Sequence, residues 1–112
     1  MSTIATSRIV HLNEQSFDSH IGNAGVLTLV DFWADWCAPC RVVAPVLERL
    51  ADEFDDRLVI AKVDVDQAPA LAERFNVRSV PTLALFRDGQ LVDTLIGALP
   101  EKALRKWLEA RV

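Results

Sequence analysis

The chain reads as an α/β domain in which a central mixed five-stranded sheet is flanked by helices on both faces. Three observations predict it. Short apolar runs alternate with segments whose apolar residues recur at helical spacing, in the order βαβαβαββα. Two of those runs, residues 26–33 and 58–65, are nearly continuous in apolar residues, as buried strands are. No internal repeat, low-complexity tract or linker rich in Pro, Gly or Ser divides the 112 residues, which form one domain over 1–112, with 1–7 expected as a loosely ordered extension.

Residues 9–12 read as a short edge strand and residues 13–21 as a helix. Gly22-Asn23-Ala24-Gly25 is a turn, because Gly and Asn tolerate positive φ. The strand over 26–33 feeds a helix over 37–54, whose Val43, Val46, Leu47, Leu50 and Phe54 share one face. Asp55-Asp56-Arg57 ends that helix, and residues 58–65 form the second buried strand. Asp66 is the expected N-cap of a helix over 69–75, since its carboxylate can accept free first-turn amides. Runs 82–86 and 91–96 flank Arg87-Asp88-Gly89-Gln90, and an Asp-Gly turn between apolar runs predicts a hairpin. The last helix starts near Pro100 and is expected to bury Leu104, Trp107 and Leu108. Pro45 falls inside the 37–54 helix, where it removes one hydrogen bond and predicts a kink.

Composition narrows the function. Hydrophobic residues make up 51% and charged residues 25%, which fits a compact core and excludes a disordered chain. A chain of this size buries roughly 65% of its unfolded surface. Twelve basic against sixteen acidic side chains give a net charge of −4, with no basic stripe, so nucleic acid is not an expected partner. No apolar run approaches the ~18 residues of a membrane span, and residues 1–8 lack the apolar core of a signal peptide. The expected location is the reducing cytoplasm. Two cysteines there are catalytic or metal-binding more often than a structural staple.

Both cysteines lie in Trp36-Cys37-Ala38-Pro39-Cys40, at a strand-to-helix junction, and a Cys-x-x-Cys pair in that setting is a redox signature. Cys37 falls at the helix N-terminus, where free amides and the helix dipole favour negative charge. Cys40 is one turn further in and shares its face. Pro39 lacks an N–H and suits a first helical turn. Half a zinc site and a pair of inert thiols are the alternatives. A zinc site needs four ligands, and only His11 and His20 remain, at a spacing that matches no compact zinc motif. Asp31 and Lys62 each interrupt an apolar strand. Asp31 stands six residues before Cys37, where burial would raise its pKa towards neutrality. A salt-bridged or edge Asp31 and a solvated Lys62 are the alternatives.

From residue 31 to residue 45 the chain resembles the thioredoxin family, and the similarity extends over about residues 8–110. It rests on Val30-Asp31-Phe32-Trp33-Ala34-Asp35-Trp36-Cys37-Ala38-Pro39-Cys40-Arg41, with Val80-Pro81-Thr82-Leu83 and Phe86-Arg87-Asp88-Gly89 at the distances the family requires. The resemblance implies the thioredoxin fold, with Cys37 as nucleophile and Cys40 as resolving cysteine. It also implies Asp31 as the acceptor of the Cys40 proton and Lys62 as a modulator of pKa beside it. Trp36, Ala38, Pro39, Val80, Pro81, Gly97 and Ala98 would then form an apolar substrate-binding surface around Cys37, with a cis bond before Pro81. Cysteine pKa values at such sites fall from about 8.5 to roughly 3.5–7.5, a general range that already includes thioredoxins. A fall to about 7 raises the thiolate fraction at pH 7 roughly sixteenfold. Lost nucleophilicity takes back a factor of about five, but the same shift makes Cys37 a better leaving group.

Two positions depart from the family pattern. Ala38 stands where glycine is usual, and Ser79 stands before the Val80-Pro81 segment where glycine is frequent. A helix-propensity change of ~1 kcal/mol corresponds to only about 20 mV, so the class of activity survives. The expected function is a general protein-disulfide reductase acting by dithiol–disulfide exchange. Disulfide-containing proteins are its substrates, and no cofactor or metal is bound. A thioredoxin reductase, a flavoprotein using NADPH, recycles it, and the chain is expected to be a monomer. The competing readings are an oxidase or isomerase of an oxidising compartment, and a redox-independent binding subunit or holdase.

Overall fold

The computed structural model describes residues 7–23 and 25–112. The extension expected over 1–7 therefore lies, apart from Ser7, outside the described residues, as does Ala24 of the predicted turn. Five strands, β1 (Val10–His11), β2 (Leu27–Trp33), β3 (Val59–Asp64), β4 (Thr82–Arg87) and β5 (Gln90–Ile96), form one sheet in the order β1-β3-β2-β4-β5. β3 pairs parallel with both β1 and β2, whereas β4 is antiparallel to β2 and to β5. The helices are α1 (Phe17–Ile21), α2 (Ala38–Phe54), α3 (Pro69–Arg74) and α4 (Glu101–Glu109). The mixed sheet and the element order are those expected.

Because side chains alternate along a strand, β2 supplies both layers of the core. Leu27 and Leu29 pack with Val43, Leu47 and Leu50 of α2 and with Leu104 and Leu108 of α4. Val30 and Phe32 face the other way, against Phe17 and Ile21 of α1 and Leu71 of α3. Burying each such side chain stabilises the fold by about 1.5–3 kcal/mol. The second layer is tightened by aromatic contacts, with Phe86 edge-on to Phe17 and Phe75 at centroid distances of 5.6 and 5.2 Å. On the first layer, Arg49 and Arg105 tie α2 to α4 through Glu101 and Glu53 at 2.6–3.0 Å. These pairs are partly exposed, so solvent screens them and the apolar contacts carry the packing.

The hairpin forms for the predicted reason. Asp88 and Gly89 both take positive φ, 52° and 81°, the conformation a two-residue turn requires, and Gln90 pairs with Arg87. The Asp88 carboxylate also accepts the Gly25 N–H at 2.6 Å, which ties the hairpin to the turn before β2.

Several boundaries and contacts differ from expectation. The edge strand shrinks to Val10–His11, although Ile9 and Leu12 on either side are buried. The helix expected from residue 13 begins only at Phe17, because the Asn13 carboxamide oxygen accepts the amides of Gln15 and Ser16 and holds a separate turn. Asp66 does not cap α3. A turn in which the Asp64 carbonyl accepts the amides of Gln67 and Ala68 moves the N-cap to Ala68, which has no side-chain oxygen. The free Ala70 amide is met from far away in sequence by Glu14, whose Oε2 accepts it at 2.8 Å. Trp107 is half-buried and carries the Arg111 guanidinium on its ring, 4.2 Å from the centroid.

Glu14→Ala should therefore lower stability by about 1 kcal/mol in denaturant unfolding, and Glu14→Gln by less, since its amide oxygen still accepts. Faster hydrogen exchange at Ala70 should accompany the first change. An equal loss from Asp66→Ala, with no effect of Glu14→Ala, would return the capping role to Asp66.

Candidate active site

β2 runs out of the sheet at Trp33, and the Cys37 amide donates to the Ala34 carbonyl at 3.2 Å, closing a tight turn onto α2. Cys37 is the N-cap of α2, with extended backbone at φ −92° and ψ 108°. Its Sγ accepts the Cys40 amide at 3.2 Å, so a free first-turn N–H points at sulfur. Pro39 sits in the first turn, where its missing N–H costs nothing. Cys37 and Cys40 are joined as a disulfide, with Cα atoms 5.3 Å apart. In this disulfide Cys37 is 4% and Cys40 2% exposed, so position at the helix end, not accessibility, distinguishes the two sulfurs.

Asp31 lies on the same face of β2 as Leu29 and Trp33, the face that α2 covers. Leu29 packs under the middle of α2, and Trp33 packs against the cluster of Ala34, Cys37 and Cys40. Asp31 is thus placed beneath the first turns of α2. Its carboxylate is fully buried, and among the described residues neither oxygen has a hydrogen-bond partner. Burial pushes its pKa up from the ordinary 3.8 to about 7, opposed by the positive charge of Lys62. Lys62 is the direct neighbour of Asp31 in the parallel β2–β3 register. It is half-buried rather than solvated, with its ammonium 4.5 Å from the centroid of the Trp33 ring.

The seven residues expected around Cys37 divide by exposure. Trp36 is 68% exposed, and Ala38 and Pro39 are exposed beside it. Val80, Gly97 and Ala98 are partly covered, while Pro81 is buried, so the ring of proline offers less surface than expected. The Val80–Pro81 bond is cis, and the Val80 carbonyl oxygen lies 3.6 Å from Cys37 Sγ. Gly97 donates its N–H to the Pro81 carbonyl at 2.9 Å. Its φ of 100° disfavours any side chain, although among the described residues no atom stands within 4 Å of where a Cβ would be. The surface there is open.

Two side chains at the site escaped the sequence reading. Asp66 accepts the Trp36 indole N–H at 3.0 Å and so fixes an exposed aromatic ring. Thirty residues separate the two, and its capping-like position gave no hint of that partner. Arg41 donates to the Asp35 carbonyl and braces the turn before Cys37. Among the described residues, no three His, Cys, Asp or Glu side chains gather as metal ligands, and no helix is long and apolar enough to cross a membrane.

Comparison with known proteins agrees with this geometry. The family model described as thioredoxin matches residues 8–110. The chain is 42% identical over 106 residues to the thioredoxin of Haemophilus influenzae, covering 95% of this chain and 99% of the relative. It is 44% identical over 101 residues to the thioredoxin of Rhodospirillum rubrum, covering 90% and 97%. With the thioredoxin of Staphylococcus saprophyticus the identity is 46% over 101 residues, covering 90% and 95%. A matched pair of cysteines at the head of α2 and similarity along nearly the whole chain lead to one conclusion: the chain belongs to the thioredoxin family.

Proposed function

We propose that the chain is the general protein-disulfide reductase of a reducing cytoplasm, with Cys37 as the attacking sulfur and Cys40 as the resolving one. As a thioredoxin-family protein with a paired Cys-x-x-Cys it is a thiol–disulfide oxidoreductase. The observation that carries the finer reading is the Cys37 sulfur at the N-cap of α2, accepting a backbone N–H. That position favours a thiolate at Cys37 over Cys40. The findings do not favour a redox-independent binding subunit or holdase, or an oxidase or isomerase of an oxidising compartment.

In the reduced protein the Cys37 thiolate attacks one sulfur of a substrate disulfide. A Cys37–substrate disulfide forms, and the other substrate sulfur leaves as a thiolate that takes up a proton. The Cys40 thiol then gives its proton to the Asp31 carboxylate and attacks Cys37 Sγ. The second substrate thiolate departs, and the Cys37–Cys40 disulfide closes. The second substrate thiolate takes up a proton as the first did and Asp31 returns its proton to solvent, so that two electrons and two protons in all have passed to the substrate. Lys62 keeps the buried Asp31 from being neutral throughout the physiological range, since its charge opposes the effect of burial. Trp36, held by Asp66, together with Ala38, Pro39, Val80, Gly97 and Ala98 supplies the docking surface, and Pro81 backs it. A thioredoxin reductase drawing on NADPH returns the disulfide to the dithiol, with no cofactor bound to this chain. The working unit is a monomer.

The reduced chain should accelerate dithiol-driven precipitation of insulin, and loss of either cysteine should abolish that effect. A Cys40→Ser protein should accumulate substrate proteins bound through Cys37, whereas Cys37→Ser should trap almost none. Mass spectrometry showing adducts mainly on Cys40 would exchange the two roles.

Asp31 makes a prediction of opposite sign to an ordinary paired carboxylate. Its folded pKa of about 7 lies above its ordinary 3.8, so the folded state holds the proton more tightly. Stability is therefore lost as pH rises from about 4 through 7, by on the order of 4 kcal/mol in the oxidised protein. Denaturant unfolding should show the advantage of Asp31→Asn over the wild type growing across that interval and then levelling off. A pH-independent difference would contradict the buried, raised carboxylate. In single-turnover exchange near pH 7, the same variant should slow release of the second substrate thiolate and leave the first attack largely intact.

A further inference from the structure

A cavity of about 260 Å³ opens beside the active site, walled by Trp36, Val65, Pro69, Ala72, Val77 and Val80. It adjoins the cysteines directly, since Val80 packs on the cluster of Ala34, Cys37 and Cys40. Its walls are mainly aliphatic and aromatic, Ser79 adds a hydroxyl, and Arg78 supplies the single formal charge of the lining. The other eight arginines each hold a hydrogen bond, an ion pair or an aromatic face. Arg78 is exposed and, among the described residues, has none of these. An unengaged guanidinium at the edge of an apolar cleft is complementary to a carboxylate next to an aliphatic side chain, because its planar fork matches two carboxylate oxygens.

We propose that Arg78 is a specificity-determining residue, selecting protein disulfides whose flanking segment sets an aliphatic side chain in this cleft and an Asp or Glu on the guanidinium. The inference rests on the reductase reading and names the substrate class for that same site. Against an overall charge of −4, which repels acidic partners at long range, the selection is local. It acts after encounter, on the few residues adjoining the target cysteine. Asp66 is not part of this lining, and its carboxylate is turned to the Trp36 N–H at the indole end.

The test uses symmetric peptide disulfides, each half eight or nine residues long, with Glu or Gln placed in turn at each of the four positions on either side of the cysteine. At low salt, Glu at one or two of these positions should raise kcat/KM about two- to fivefold over Gln. Arg78→Gln should remove that preference, and Arg78→Glu should replace it by a preference for Lys. In 0.5 M salt the wild-type preference should shrink towards one, because exposed pairs are screened. Lys106→Gln, the same loss of charge on α4, should keep the preference. No Glu preference at any position, or one that survives Arg78→Gln, overturns the proposal while leaving the reductase reading in place. If the wild type reduces none of the peptides, the uncharged ones included, both readings fall.

Discussion

The rest of the structure depends on β2 being the middle strand of the sheet and covered on both faces. Its even-numbered residues, Val30 and Phe32, must enter the layer shared with α1 and α3, and its odd-numbered ones, Leu27 and Leu29, the layer under α2 and α4. That alternation leaves no freedom of register, because a shift by one residue would turn every apolar side chain to the wrong layer. It also fixes where the chain leaves the sheet, and hence where α2 starts. The same double covering strips water from Asp31. A carboxylate near neutral pKa and a sulfur at a helix N-terminus are thus two results of one packing arrangement.

Lys62 shows how closely such a site is balanced. Lys62 lies in register with Asp31 with its ammonium against the Trp33 ring, and among the described residues it closes no ion pair with the acid. A direct pair would pull the Asp31 pKa well down. Complete absence of the cation would let burial raise it further. The arrangement at one strand's remove leaves the acid's pKa at about 7.

Much of this was legible in the order of the residues. The Cys-x-x-Cys pair after an apolar run located the strand-to-helix junction, and Asp88-Gly89 located the hairpin, since both signals are local and each has one dominant physical cause. Helix starts were less legible. Asn13 and Asp66 are both good caps in isolation, yet Asn13 closes a turn of its own and Asp66 turns to an indole thirty residues away. The cap of α3 comes from Glu14, across 56 residues, and nothing in a short window can announce it. The cleft beside Trp36 was hidden for the same reason. Val65, Ala72 and Val77 read as ordinary apolar positions until the fold brings them to one wall.

Pro45 divides α2 into two mechanical parts. Having no N–H, it leaves the Arg41 carbonyl without its ladder partner four residues on. Upstream of that gap are the two cysteines, and downstream are Leu47, Leu50 and the residues Arg49 and Glu53 that clamp the helix to α4. A movement of the leading turn therefore breaks fewer hydrogen bonds than it would in an uninterrupted helix, and little of it is transmitted to the clamped half. The sulfurs can change partners at one end of a helix whose other end stays anchored in the core.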